Sequence, residues 1–133
     1  MGNKRVVITG MGAITPIGNT LKEYKNSLQN AISGSKLIQS FDTSNFKTKF
    51  ACEVKSYNPL DYFDRKESRK MDIYAQFGMI SANEALLDSD LNFEKIDKNR
   101  VGVIWGSGVG GIETFQNELI NFSENNKNPR FNP

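Results

Sequence analysis

The chain contains no histidine and a single cysteine among its 133 residues. Histidine is the side chain that most often moves protons near neutral pH. Without it, acid–base chemistry carried by these residues would fall to carboxylates, lysines or tyrosines, or to groups outside the chain. One cysteine, Cys52, excludes an internal disulfide and suits a reducing compartment, with the cytoplasm as the default. No excess of charge of one sign is present. Seventeen Lys and Arg against fifteen Asp and Glu leave a formal net charge of +2, too little to argue for nucleic acid or a membrane surface as partner. Any electrostatic partner must be met by a local patch. Long hydrophobic runs are missing as well: Gly10, Gly12, Pro16 and Gly18 interrupt the N-terminal apolar stretch, which excludes a signal-peptide core and a spanning helix there. Low-complexity tracts are absent. The length fits one ordinary domain at most, with a modest core that buries roughly two thirds of the unfolded surface.

Glycine, by contrast, is concentrated where it matters. In RVGVIWGSGVGG, Arg100 to Gly111, a short apolar strand runs into four glycines within six residues. Glycine has no Cβ, so backbone can approach a ligand or another chain closely and φ can be positive without penalty. The same device opens the chain, where the predicted strand Arg5 to Thr9 runs into Gly10 and Gly12.

Between these units the pattern is helical and loop-like in turn. Thr20 followed by Glu23 has capping-box spacing, and Leu21, Tyr24, Leu28, Ala31 and Ile32 share a helical face that Ser33-Gly34 would stop. Loops follow, with a short strand at about Phe50 to Val54. Asp61 to Lys66 reads as a short helical turn. Met71, Ala75, Met79, Ala82 and Leu86 predict a buried helix over about Ser68 to Asp88, and its small residues Ala75, Gly78, Ser81, Ala82 and Ala85 suggest close packing against another backbone. Ile112, Phe115, Leu119 and Phe122 predict a last helix. The closing Arg130-Phe131-Asn132-Pro133 follows no anchoring element and reads as a cut rather than a finish.

The glycine loops admit three readings. Gly106, Gly108 and Gly111 satisfy the dinucleotide-binding pattern between a strand and a helix, but no second strand ending in an acid follows at the distance such a site needs. A second reading is purely steric, with glycines letting strands, helices and a partner subunit pack closely.

The third reading is a resemblance to a family. RVVITGMGAITPIGNT, FDTSNFKTKFACEV, DRKESRKMDIYAQFG and RVGVIWGSGVGG, in this order and spacing, resemble the 3-oxoacyl-[acyl-carrier-protein] synthases, the condensing enzymes of fatty acid synthesis. FDTSNF, RKESRKMD and Val109 are most similar to the synthase II type. The resemblance implies an α/β, thiolase-like fold, layered α-β-α-β-α in the full enzyme. Residues 1–133 would be an incomplete N-terminal part of its first domain, with no separate second domain. It implies an acyltransferase that extends acyl-carrier protein by two carbons through decarboxylative Claisen condensation with malonyl-carrier protein. Its nucleophilic cysteine and two histidines would lie beyond residue 133, so no catalytic residue is expected in this chain, which alone would be inactive and prone to aggregate. Cofactors and metals are not expected, because acyl groups arrive on the phosphopantetheine of the carrier protein. The implied partners are acyl carrier protein and a second copy of the enzyme, with neither nucleic acid nor membrane.

Particular residues acquire roles by the same resemblance. Lys66, Arg69 and Lys70 match the basic residues that dock the acidic carrier protein; a solvated helix start is the plainer alternative. Val109, with Gly108, matches the inner wall of the acyl pocket near the dimer contact, where bulk gates chain length; core packing is the alternative. Cys52 lies in FACEV with no histidine to activate it, and is expected to be a small buried hydrophobe. A non-catalytic module that binds carrier protein or a subunit is an alternative function, as is a nucleotide-binding domain using Gly106 to Gly111.

Overall fold

The computed structural model describes residues 4–128 and residue 131; of the closing segment, Arg130, Asn132 and Pro133 lie outside the described residues. The chain forms two compact units, Met1–Tyr57 with Ile80–Asp97, and Asn58–Met79 with Lys98–Pro133.

In the first unit, helix α1 spans Leu21–Gln29. Thr20 caps it as its sequence spacing predicts, accepting from the Glu23 amide at 3.2 Å. The Glu23 carboxylate reaches back one residue further than a capping box requires, accepting from the Asn19 amide at 2.8 Å. The helix stops earlier than Ser33-Gly34. Ala31 adopts a left-handed φ of 51°, and the amides of Ala31 and Ile32 turn back to the carbonyls of Leu28 and Ser27. That is the Schellman arrangement, formed here around an alanine where glycine is usual. Strands β1, Lys36–Leu37, and β2, Phe50–Ala51, pair antiparallel, with Lys36 opposite Ala51 and Leu37 opposite Phe50. The strand expected over Phe50 to Val54 is therefore only two residues long. Cys52 falls just past the end of this ladder and is exposed, which corrects its expected burial.

Helix α3 spans Ile73–Asp88, and its C-terminal half belongs to the first unit. The segment from Gly10 to Ala13 lies against it. A Cβ at Gly10 would collide with the Ala85 carbonyl oxygen, and one at Gly12 with the Ser81 carbonyl oxygen. This is the close backbone packing that the helix's small residues suggest. Two carboxylates one turn apart secure the approach: Asp88 accepts from the Met11 amide at 2.9 Å, and Glu84 from the Ala13 amide at 2.8 Å. The other Glu84 oxygen accepts from the Leu21 amide, at the start of α1, at 2.8 Å.

In the second unit, Pro59–Asp61 forms a 3₁₀ turn capped by Asn58, followed by the short helix α2, Arg65–Ser68. The long helix expected from Ser68 starts later: Ser68 ends α2, and α3 begins only at Ile73. Each of the two helices starts after an aspartate: Asp64 caps α2, and Asp72, directly before α3, accepts from the Tyr74 amide at 3.1 Å. Helix α4, Ile112–Glu124, follows the glycine loop as its apolar spacing predicts.

Two expectations differ from the structure. Arg5 to Thr9 and Val101 to Trp105 carry no ladder hydrogen bonds among the described residues, and Val6 and Ile104 are 91% and 100% exposed. An apolar alternation predicts a segment fit to be a strand; a strand exists only where a partner backbone supplies the ladder. The α3 stripe is also less buried than its pattern implies. Met71, Ala75, Ala82 and Leu86 are half-buried and Met79 is exposed, whereas Gln76, Gly78 and Ile80 are buried.

Candidate functional site

The sequence-predicted site residues fall in the second unit, in α2 and the turn that follows it and in the loop before α4. Asp64 starts α2 because its carboxylate accepts from the amides of Lys66 and Glu67, each at 2.7 Å. An acidic cap complements the positive end of the helix. Lys66 in α2, and Arg69 and Lys70 directly after it, are all three exposed. Arg69 is the C-cap of α2, and the Lys70 amide donates to the Glu67 carbonyl at 3.0 Å.

The conformation of this basic turn is held from α3. Gln76 is 4% exposed, and its side-chain amide donates to the Ser68 and Met71 carbonyls, both at 2.9 Å. It spans the turn that carries Arg69 and Lys70. A buried amide with two carbonyl acceptors is a satisfied polar group, and losing either bond would leave a carbonyl to find another donor.

The glycine loop is anchored at its far end. Gly111 is the N-cap of α4 with a φ of 68°, a conformation glycine adopts at little cost. Glycine offers no side chain to cap the helix, and Asp72 supplies what it lacks. The Asp72 Oδ2 accepts from the Thr114 hydroxyl at 2.6 Å and from the Thr114 amide at 3.2 Å. Burial pushes the Asp72 carboxyl up, yet the Thr114 hydroxyl and the Tyr74 and Thr114 amides together outweigh it and hold it below the usual aspartate range.

Further packing ties the loop to α3. The Trp105 indole lies over Gly78, where a Cβ would sit 2.6 Å from the ring, and its Nε1 donates to the Tyr74 carbonyl at 3.2 Å. A Cβ at Gly110 would sit 2.7 Å from the Tyr74 ring. A cavity of about 520 Å³ is lined by Lys70, Met71, Asp72, Gly111, Thr114 and Phe115 among others. The structure thus brings Lys70, from the basic turn, to the same cavity as the end of the glycine loop.

Val109 is 69% exposed, so core packing within this chain does not account for it. A Cβ at Gly108 would meet nothing within 4 Å. Three residues that organise the site escaped sequence reasoning. Asp72 had a usable signal, an aspartate directly before an apolar helix. Gln76, a polar residue beside the apolar stripe, gave a weaker one, and Thr114 gave none. Among the described residues no group of three His, Cys, Asp or Glu could hold a metal ion, and no helix is long and apolar enough to cross a membrane.

Comparison with known proteins agrees with the resemblance in the sequence. The 3-oxoacyl-[acyl-carrier-protein] synthase 2 of Vibrio cholerae is 40% identical across 100% of this chain, which covers 33% of that protein. Its counterpart in Staphylococcus aureus strain COL is 42% identical over 86% of the chain and 28% of that protein. The chain therefore spans about a third of the length of the curated relatives it matches. Among solved structures, a type II PKS acyl-carrier protein in complex with its ketosynthase, bound to a hexaketide, superposes with a TM-score of 0.70 at 26% identity, over 94% of this chain and 32% of that one. The fold is accordingly the mixed α/β fold of the thiolase-like condensing enzymes. The family described as beta-ketoacyl synthase, N-terminal domain, matches residues 3–133, and the chain belongs to it.

Proposed function

We propose that this chain is the N-terminal third of a 3-oxoacyl-[acyl-carrier-protein] synthase of the synthase II type, a homodimeric cytoplasmic enzyme built from two thiolase-type halves in an α-β-α-β-α layering. The observation that carries this reading is the 40% identity to a synthase 2 along the full length of the chain. The complete enzyme would take an acyl group from carrier protein onto a cysteine, release carbon dioxide from malonyl-carrier protein, and join the resulting carbanion to the acyl carbon. The product is a 3-oxoacyl-carrier protein two carbons longer. The cysteine and two histidines of that chemistry belong to later parts of such an enzyme, and these residues contribute positioning instead.

Lys66, Arg69 and Lys70 are assigned to carrier-protein docking. They are exposed within five consecutive residues at the end of α2 and just after it, and a relative's ketosynthase is seen in complex with its acyl-carrier protein. A local basic patch raises the encounter rate with an acidic partner, and salt screens it. Val109, with Gly108, is assigned to the inner wall of the acyl pocket; its exposure in this chain leaves its side chain available to such a role.

The test is a condensation assay on the complete enzyme with acyl- and malonyl-carrier proteins, read as product two carbons longer. Reversing Lys66 and Arg69 together to glutamate should raise KM for the carrier substrate on the order of tenfold at low salt, with kcat little changed, and the effect should shrink as salt is added. An unsubstituted enzyme that yields no condensation product rules out the function. An unchanged KM at low salt rules out the docking role alone.

A further inference from the structure

The turn assigned to carrier docking and the loop assigned to the acyl pocket are joined by a short run of named contacts. Gln76 holds the carbonyls of Ser68 and Met71 on either side of Arg69 and Lys70. The next residue after Met71 is Asp72, whose carboxylate faces two ways. One oxygen accepts from the Tyr74 amide in the first turn of α3, which Asp72 precedes, and the other accepts from both the amide and the hydroxyl of Thr114 in α4. Thr114 lies three residues past Gly111, whose left-handed backbone ends the loop and whose missing side chain leaves α4 without a cap of its own. The amide that a residue at 111 would ordinarily cap is capped by Asp72, which lies between the docking turn and α3.

From this we infer that Asp72 is a positioning residue that couples carrier-protein docking to the shape of the Gly106 to Gly111 loop. The inference rests on the proposed function. Its physical content is that the turn and the loop share one carboxylate. A shift of the Arg69–Lys70 turn on docking carries Asp72 with it, and the start of α4 must follow or lose two hydrogen bonds to a charged acceptor. The coupling is reciprocal, as any linkage between two binding events must be: a perturbation at the α4 end must also be felt at the docking end. The Trp105 indole over Gly78 and the Tyr74 ring against Gly110 leave little slack in α3 to absorb the movement locally.

The test uses the complete enzyme and the substitution Thr114→Val, which keeps the side-chain volume and removes the hydroxyl donor to Asp72. Thr114→Ser, which keeps the hydroxyl, is the rescue variant, and Asp72→Asn is an independent substitution at the other partner. Two readouts are taken: the ratio of kcat/KM for short and medium-length acyl primers, and KM for primers on carrier protein against the same acyl groups on a small soluble thioester. The expected result is that Thr114→Val and Asp72→Asn each change the primer ratio by about three- to tenfold. They should raise KM for carrier-borne primers without raising it for the small thioesters, and Thr114→Ser should restore both readouts. Neither Thr114 nor Asp72 belongs to the docking patch, so a purely structural contact would lower the melting temperature and leave primer ratio and carrier selectivity unmoved. That outcome overturns the coupling while leaving the condensing function intact. An unsubstituted enzyme without condensing activity overturns the function, and the coupling with it.

Discussion

Replacing Glu84 with alanine should loosen the segment from Met11 to Leu21 while leaving α3 formed. Glu84 accepts from two backbone amides far along the chain, those of Ala13 and Leu21, each at 2.8 Å. A hydrogen bond to a charged group contributes about 1.5–3 kcal/mol net. Glu84 is only half-buried, so the lower end applies, and two bonds amount to about 3 kcal/mol of local stability. At about 1.4 kcal/mol per factor of ten, that is on the order of a hundredfold. The assay is amide hydrogen exchange on the complete enzyme, read on the peptide covering Met11 to Leu21, because exchange reports local opening without assuming that a large enzyme unfolds in one step. Exchange there should accelerate on the order of a hundredfold in Glu84→Ala and about tenfold in Glu84→Gln, which retains one oxygen acceptor. Exchange around Lys36 to Ala51, held by its own short ladder, should not change. Acceleration of less than about threefold in Glu84→Ala would refute the view that this carboxylate holds the segment.

Three further outcomes follow from the second unit. Gly78→Ala places a Cβ against the Trp105 ring, so the indole must shift and its bond to the Tyr74 carbonyl weaken; with one tryptophan in these residues, a spectroscopic label replacing that indole alone should report a more solvated ring, and an unchanged signal would mean that the helix yields instead. Val109→Phe should abolish condensation of medium-length primers before short ones, checked by kcat/KM across primer lengths; equal losses at every length would indicate misfolding. Asp72 is held below the usual aspartate range, so it binds a proton less readily folded than unfolded. Its contribution is fully present above the unfolded value, near pH 4, and is lost as pH falls through the lower folded value. Amide exchange at the start of α4 should therefore quicken below about pH 4 relative to intrinsic rates, and Asp72→Asn should remove that dependence. Persistence of the dependence in the variant would exclude Asp72 as its source.

Local rules served well where a feature is made by neighbours in sequence. Thr20 and Glu23 announced the start of α1, and Ile112, Phe115 and Leu119 announced α4, because a cap and an apolar stripe are properties of a few consecutive residues. The end of α1 was missed because alanine, not glycine, takes the left-handed position at 31. The start of α3 only after Asp72 was missed because the apolar stripe already begins at Met71. What sequence reasoning could not supply is pairing at a distance. Asp88 meets Met11 across 77 positions, and Asp72 meets Thr114 across 42, and no spacing rule reaches so far. The strand pattern at Val101 to Trp105 fails for the same reason, since its ladder depends on another backbone. In the candidate site, the exposed basic residues and the left-handed glycine were legible one by one. Their connection through Asp72 and Gln76 was not.

The two glycine turns share a physical problem and a similar remedy. A glycine that admits close approach or a positive φ gives up the side chain that might have bonded the nearby amides. At Gly10 and Gly12 the approach is to the Ala85 and Ser81 carbonyls, and the amides of Met11 and Ala13 are taken up by Asp88 and Glu84. At Gly111 the backbone is left-handed, and the α4 amide is taken up by Asp72. In each case the carboxylate lies in α3 or directly before it, so that helix satisfies backbone that the glycine turns leave open. Restoring a side chain at 111 would not replace the service. Aspartate there would carry a carboxylate at a φ of 68°, where a Cβ is strained, and its side chain would leave from a backbone that is not in the extended conformation an N-cap uses. Distant capping is thus the cost of a loop that must turn through glycine, and it makes the loop answer to whatever moves the aspartate.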